Sequence, residues 1–103
     1  MRGRPAHSKI RRNILKIINE MKKAYGYEIY RHYLSLFGEV HIRSIYYHLK
    51  KGVSLNEINI DEIKEDNGEY SWGNKAEKIY YSLGKNASIR PSKLVEKYFK
   101  SLK

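Results

Sequence analysis

The stretch that most constrains the fold runs from residue 42 to residue 52 and reads Ile-Arg-Ser-Ile-Tyr-Tyr-His-Leu-Lys-Lys-Gly. Its apolar residues Ile42, Ile45 and Leu49 recur at the spacing of one helix face, and Tyr46 is predicted to join them in the core. Gly52 predicts the end of this helix. The other positions are polar or basic, so we expect a helix with one buried face and one basic, solvent-facing side.

Two further helical patterns precede this stretch. The first is predicted from Ser8, as the N-cap, to Lys23. Its apolar stripe consists of Ile10, Ile14, Ile17, Ile18 and Met21. The second helix is predicted to end at Gly38, and its stripe consists of Ile29, Tyr30, Tyr33, Leu34 and Phe37. Only a few residues separate the second helix from the third, as in a helix-turn-helix.

Beyond residue 52 the apolar spacing changes from helical to alternating, which predicts a β-hairpin. The alternation begins at Ile58 and is broken by one residue at Asp61-Glu62-Ile63, which predicts a bulge or a strand end. Two turn signals follow, Asp66-Asn67-Gly68 and Gly73-Asn74-Lys75. The sequence favours the second as the hairpin tip without deciding between them. A last strand is predicted over residues 79–83.

The order of these elements predicts an α+β fold, a winged helix-turn-helix with three helices, a β-hairpin wing and an additional C-terminal helix. Residues 1–7 are predicted to be a basic arm, residues 8–87 the winged-helix domain, and residues 88–103 an amphipathic helix that Pro91 begins. The apolar stripe of the last helix consists of Leu94, Val95, Tyr98, Phe99 and Leu102. This stripe needs a cover. It either folds back on the first helix or pairs with a second chain about a two-fold axis, and the second arrangement, a homodimer, is favoured.

Three stretches resemble the PadR-like winged-helix transcription regulators. Tyr25-Gly26-Tyr27-Glu28-Ile29 is similar to the family's His-Gly-Tyr-Glu-Ile at the start of helix two. The segment 40–49 is similar to its recognition helix, and Tyr81-Ser82-Leu83-Gly84 to its last wing strand. The family often has Pro where this chain has Ile42, and usually Thr where it has Gly84. The resemblance implies a DNA-binding transcriptional regulator that dimerises through its terminal helices.

The charge distribution predicts a polyanionic partner. The 103 residues include 21 Lys and Arg against 11 Asp and Glu, which gives a formal net charge of +10. Residues 1–54 hold 12 basic and 3 acidic side chains, residues 55–74 hold 1 and 6, and residues 75–103 hold 8 and 2. Double-stranded DNA is the expected partner, and the acidic middle segment is expected to point away from it or to lie at its edge.

Candidate DNA contacts come from the arm, two helices and the wing. Arg2-Gly3-Arg4-Pro5 matches the core of the AT-hook, in which extended arginines lie in the narrow minor groove of A·T-rich DNA. The alternative is a frayed basic terminus. The third helix offers His41, Arg43, Ser44, Tyr47, Lys50 and Lys51. The first helix adds Arg11 and Arg12, and the wing adds Lys75 and Lys78. Trp72 is expected to pack under the wing.

The sequence argues against an enzyme. It contains no Cys, which excludes disulfides and thiolate chemistry. The four His residues lack metal-ligand spacing, and the nuclease-like Glu62-Ile63-Lys64 lacks the upstream Asp that such a motif requires. No nucleophile–base pair, phosphate loop or dinucleotide fingerprint is found. We therefore expect no metal and no cofactor.

No apolar run approaches the roughly 20 residues that cross a bilayer, and the N-terminus lacks the apolar region of a signal peptide. We expect a cytoplasmic, nucleoid-associated protein with no membrane partner. Two other functions remain open: a winged-helix protein-interaction module of a transcription or chromatin complex, and a nonspecific chromosomal architectural protein. The sequence leaves the target DNA, the sign of regulation and any small-molecule effector open.

Overall fold

The chain forms an α+β structure, in a computed structural model that describes residues 9–70, 73–90 and 92–102. Within these residues there are four helices and one three-stranded antiparallel sheet, an arrangement compatible with a winged helix. The helices are α1 (Lys9–Met21), α2 (Gly26–Phe37), α3 (Ile42–Ser54) and α4 (Lys93–Ser101). The strands are β1 (Ala24–Tyr25), β2 (Ile58–Tyr70) and β3 (Gly73–Leu83), in the order β1-β3-β2.

The hydrophobic core lies among α1, α2, α3 and the base of the sheet. The apolar face predicted for the first helix is buried, since Ile14, Ile17 and Ile18 have no exposed surface. They pack in one cluster with Ile45 and Leu49 of α3. The predicted burial of these five residues is therefore confirmed, and Ser8, the predicted N-cap, lies outside the described residues.

The two glycines predicted to end helices have different roles. Gly38 follows α2 with a φ of 100°, a conformation that favours glycine, so this prediction is confirmed. The prediction for Gly52 is wrong, because α3 continues to Ser54. Gly52 is buried, and a β-carbon there would lie 2.5 Å from Cδ1 of Ile58. This glycine therefore lets the start of β2 approach α3 closely.

The sheet contains one strand that sequence patterning missed. β1 has two residues, and its register pairs Ala24 with Tyr81 and Tyr25 with Tyr80. A strand this short has no alternating pattern to detect, and it forms because β3 offers it a partner. The predicted two-stranded hairpin is thus part of a three-stranded sheet, and the third strand connects the hairpin to the start of α2.

The hairpin is longer than predicted. The bulge is confirmed, because Ile60 pairs with Tyr81 and Glu62 with Tyr80, which leaves Asp61 as the extra residue. Pairing continues to Tyr70 and Gly73, so residues 66–68 belong to β2 and residues 73–75 belong to β3. Neither predicted turn segment therefore forms the tip, although the favoured one begins where β3 begins. The predictions for Trp72 and Pro91 concern residues outside the described part of the chain.

Helix α4 is shorter than the predicted segment 88–103. Its N-cap is Ser92, whose hydroxyl accepts a hydrogen bond from the backbone N–H of Val95 at 3.3 Å. The helix folds back on its own chain, where Val95 is 1% exposed and Phe99 packs against the core cluster. His32 of α2 forms a 2.8 Å hydrogen bond with the Tyr98 hydroxyl. Helix α4 therefore packs on its own chain, which is the first of the two arrangements predicted for the apolar stripe of the last helix.

Candidate nucleic-acid interface

The outward face of α3 is the main concentration of predicted DNA contacts that the structure brings together. Arg43, Tyr47 and Lys50 are exposed, and their spacing of four and three residues places them along one side of the helix. Tyr47 is 60% exposed. This orientation follows from Ile45 and Leu49, which are buried in the core on the opposite side. The face carries two cations and a phenol, and no residue of α3 is acidic.

One flank of α3 turns towards α1. Ser44, His48 and Lys51 follow each other at helical spacing, and all three are half-buried. His48 lies against Arg11, with 3.4 Å between its Nδ1 and a terminal nitrogen of the guanidinium. Burial, followed by the positive charge of Arg11, lowers the pKa of His48 and favours its neutral form. His41 is exposed at the N-cap position, where the helix begins.

The other flank of α3 turns towards α2, and Tyr46 lies there. Its predicted place in the core is wrong, because 45% of the side chain is exposed. Tyr46 covers Gly26, where a β-carbon would overlap its ring. Burial of the covered part, followed by the nearby Tyr25, raises the pKa of Tyr46. Tyr46 thus adds an aromatic surface beside the outward face of α3. The helical spacing of the apolar residues did not predict this exposure.

Arg11 cannot serve as a DNA contact in this structure, and its prediction is corrected. Its side chain is buried, with a salt bridge of 2.9 Å from Nε to the Glu57 carboxylate. Arg12, the next residue, is exposed. Two adjacent basic residues therefore have different surroundings, because neighbouring positions on a helix point about 100° apart.

Lys78, a predicted DNA contact on the hairpin, has an aromatic neighbour. Lys78 is half-buried, and its Nζ lies 4.8 Å from the centroid of the Tyr25 ring, which is within the range of a cation–π interaction. This contact joins β3 to the end of β1. The side chain of Lys75 and the arm residues Arg2 and Arg4 lie outside the described part, so their predicted contacts stay predictions.

Two carboxylates of the acidic segment, at the bulge of β2, have a basic partner. Lys23 forms ion pairs with Glu62 and with Asp61, the latter at 3.7 Å. The hydrogen bond to Glu62 is the main cause of the raised pKa of Lys23. Because β3 lies between β1 and β2, Lys23 reaches across the middle strand to the bulge. The bulge carboxylates are therefore partly neutralised within the chain.

The described residues contain no group of three or more His, Asp or Glu side chains arranged to hold a metal ion. Within the same residues, no helix has the length and apolar character to cross a membrane. A scan against protein-family models finds no match for this chain, and a search of curated protein sequences finds no significant match either.

Proposed function

We propose that this protein is a winged-helix, DNA-binding transcriptional regulator whose α3 enters the major groove. The observation that carries the proposal is the outward face of α3, where Arg43, Tyr47 and Lys50 are exposed on a helix without acidic residues. A major groove admits an α-helix, and a face of cations and hydrogen-bonding groups suits its base edges and phosphates.

The three side chains have distinct proposed roles. Arg43 lies in the first turn of α3, where residues of a recognition helix contact base edges, and its guanidinium can bind O6 and N7 of guanine. Lys50 lies two turns further on and is proposed to contact a backbone phosphate. Tyr47 lies between them and offers a hydroxyl donor and a ring edge. His41, Ser44 and Lys51 add polar groups at the margins.

The flanks of the site are proposed to contribute mainly charge. Arg12 is exposed on α1, next in the chain to Arg11, which contacts His48 of α3. Arg2 and Arg4 would reach the minor groove of A·T-rich flanks, and Lys75 would approach phosphates from the wing. Neutralised phosphates would supply most of the affinity.

Membership in the PadR-like family is part of the proposal. The Tyr-Gly-Tyr-Glu-Ile stretch supports it, since each of its central positions has a structural task here. Gly26 makes room for Tyr46, the Glu28 carboxylate accepts a hydrogen bond from the Tyr25 backbone N–H at 3.2 Å, and Ile29 is fully buried. The family resemblance also underlies the proposed homodimer and the proposed cytoplasmic, nucleoid-associated location.

A salt titration tests the proposal. A duplex selected from a random library is labelled, and its binding is followed by fluorescence anisotropy from low to high salt, beside a scrambled duplex of equal length. If five to seven phosphates are neutralised, the logarithm of the binding constant should fall with the logarithm of salt with a slope of about −4 to −7.

The outcomes separate the three candidate functions. A selected duplex that binds much more tightly than the scrambled one supports a regulator. Equal, salt-dependent binding of both duplexes would instead indicate an architectural protein. A slope near zero would contradict DNA binding and leave the protein-interaction module as the better description.

A further inference from the structure

A groove of about 600 Å³ lies between the first half of α1 and the chain that follows β3. Its lining consists of Arg11, Arg12, Leu15, Lys16, Glu57, Ser88 and Arg90. The volume lies within the range of small-molecule sites in proteins. The segment that carries Ser88 and Arg90 lies after the sheet and before α4.

The charge of this groove is not balanced by the described part of the protein. The Arg11 guanidinium is neutralised by Glu57. Arg12, Lys16 and Arg90 form no ion pair with any residue that the structure describes. Three cations therefore line one concave surface, where they repel each other and raise the local concentration of anions.

We propose that this groove binds a small organic anion with at least two negative charges, carried by phosphate or carboxylate groups. Arg12 and Arg90 can each donate two parallel hydrogen bonds to an oxyanion, and Lys16 adds a third positive charge. The Ser88 hydroxyl supplies a neutral donor, and Leu15 supplies an apolar contact for the carbon part of the ligand. The site does not depend on the proposed DNA binding.

The neighbouring acids restrict where the anion lies. A smaller hollow of about 190 Å³ shares Lys16 and Arg90 with the groove and is also lined by Glu20 and Glu96. Carboxylates disfavour a second anion nearby. The ligand is therefore expected on the groove side of Lys16 and Arg90, away from Glu20 and Glu96.

The test uses inorganic pyrophosphate as the probe and the full chain without DNA. Pyrophosphate is titrated at constant ionic strength, and backbone amide shifts are followed by NMR. We expect saturable shifts concentrated at residues 12–16 and 88–90. The double variant Lys16→Ala/Arg90→Ala should bind pyrophosphate about tenfold or more weakly. The control Lys93→Ala/Lys97→Ala removes two exposed charges from α4 and should change the binding less than about twofold.

The proposal would be overturned if both double variants weakened pyrophosphate binding equally, or if the shifts did not saturate. Either result would indicate general attraction of counterions and no specific site. A Lys16→Gln/Arg90→Gln variant repeats the comparison if the alanine variant unfolds. Duplex binding is measured in parallel. A selective loss of duplex affinity in the groove variant, without saturable pyrophosphate binding, would assign the groove to the DNA backbone instead. Saturable pyrophosphate binding in a chain that fails to bind duplex would contradict only the proposed function.

Discussion

Nε of Arg11 lies 2.9 Å from Oε1 of Glu57, which links α1 to the segment between α3 and β2. Arg11 is 1% exposed, and its guanidinium also approaches His48 of α3. Arg11 therefore has a structural role, although it lies on a helix that is rich in basic residues. Glu57 belongs to the acidic segment of the sequence, and its carboxylate compensates the charge of this buried guanidinium.

Glu57→Ala should lower the free energy of unfolding by about 2–4 kcal/mol, because it removes the carboxylate of the salt bridge to the buried Arg11 guanidinium. The value is set below the upper range for buried pairs because the Glu57 side chain is 22% exposed. Urea unfolding measures the effect. Lys23→Ala removes a solvent-exposed ion pair and serves as the control, with a much smaller expected change. Equal losses of unfolding free energy in the two variants would show that the Arg11–Glu57 pair stabilises the fold no more than an exposed ion pair does.

Gly84→Ala should destabilise the fold by about 1–3 kcal/mol or more, because a β-carbon at Gly84 would overlap the backbone of Asn56. The backbone cannot move away easily, since the Gly84 N–H donates a hydrogen bond to the Glu57 carbonyl at 2.8 Å. Gly26→Ala is the matched comparison. There the obstacle is the half-exposed ring of Tyr46, which can rotate. In thermal unfolding, the melting temperature of Gly84→Ala should be lower than that of Gly26→Ala. The reverse order would contradict the proposed overlap of a β-carbon at Gly84 with the Asn56 backbone.

Arg43→Ala should cost about 1–3 kcal/mol of binding free energy on the selected duplex and much less on a scrambled one, because it removes a contact to a base edge. Arg31→Ala on α2 removes the same charge from another exposed position and should affect both duplexes slightly. Anisotropy titrations at one salt concentration measure the binding of each variant to each of the two duplexes. Equal losses on both duplexes in Arg43→Ala would assign Arg43 to a phosphate.

The proposed homodimer can be tested without disturbing the core. Removing α4 would expose the core, because Val95 and Phe99 pack inside the chain. Leu94 and Leu102 are 59% and 56% exposed and remain to be covered. Leu94→Lys/Leu102→Lys should therefore keep the fold by circular dichroism and sediment as a monomer, whereas the intact chain sediments as a dimer at micromolar concentration. An intact chain that is already monomeric there would contradict the homodimer.

Helix interiors were more predictable from the sequence than helix ends. Ile14, Ile17 and Ile18 repeat at helical spacing, so their burial follows from periodicity. The end of α3 was predicted wrongly because a glycine signals both a helix stop and a close contact. Gly52 makes the close contact, with Ile58 on a strand that only the folded chain brings near.

The candidate site was predictable where it depends on one helix. Arg43, Tyr47 and Lys50 lie on the outward face because the core stripe of the same helix fixes their direction. Arg11 was predicted wrongly, since its partner Glu57 lies 46 residues away in the chain. The groove of Lys16 and Arg90 was missed for the same reason, because charge alone gives no distance between separate segments.

The sequence by itself determined the order of the main elements, most of the buried positions of the first three helices and the basic character of the outward side of α3. Tyr46 and Leu34 are the exceptions, since both belong to predicted apolar stripes and both are exposed. These properties follow from residue spacing and local chain geometry, which act within one helix or strand. The tertiary structure decided which charges are buried in pairs, that Ala24 and Tyr25 form a third strand, and that α4 covers its own core. Each depends on contacts between distant segments, and such contacts exist only after the chain has folded.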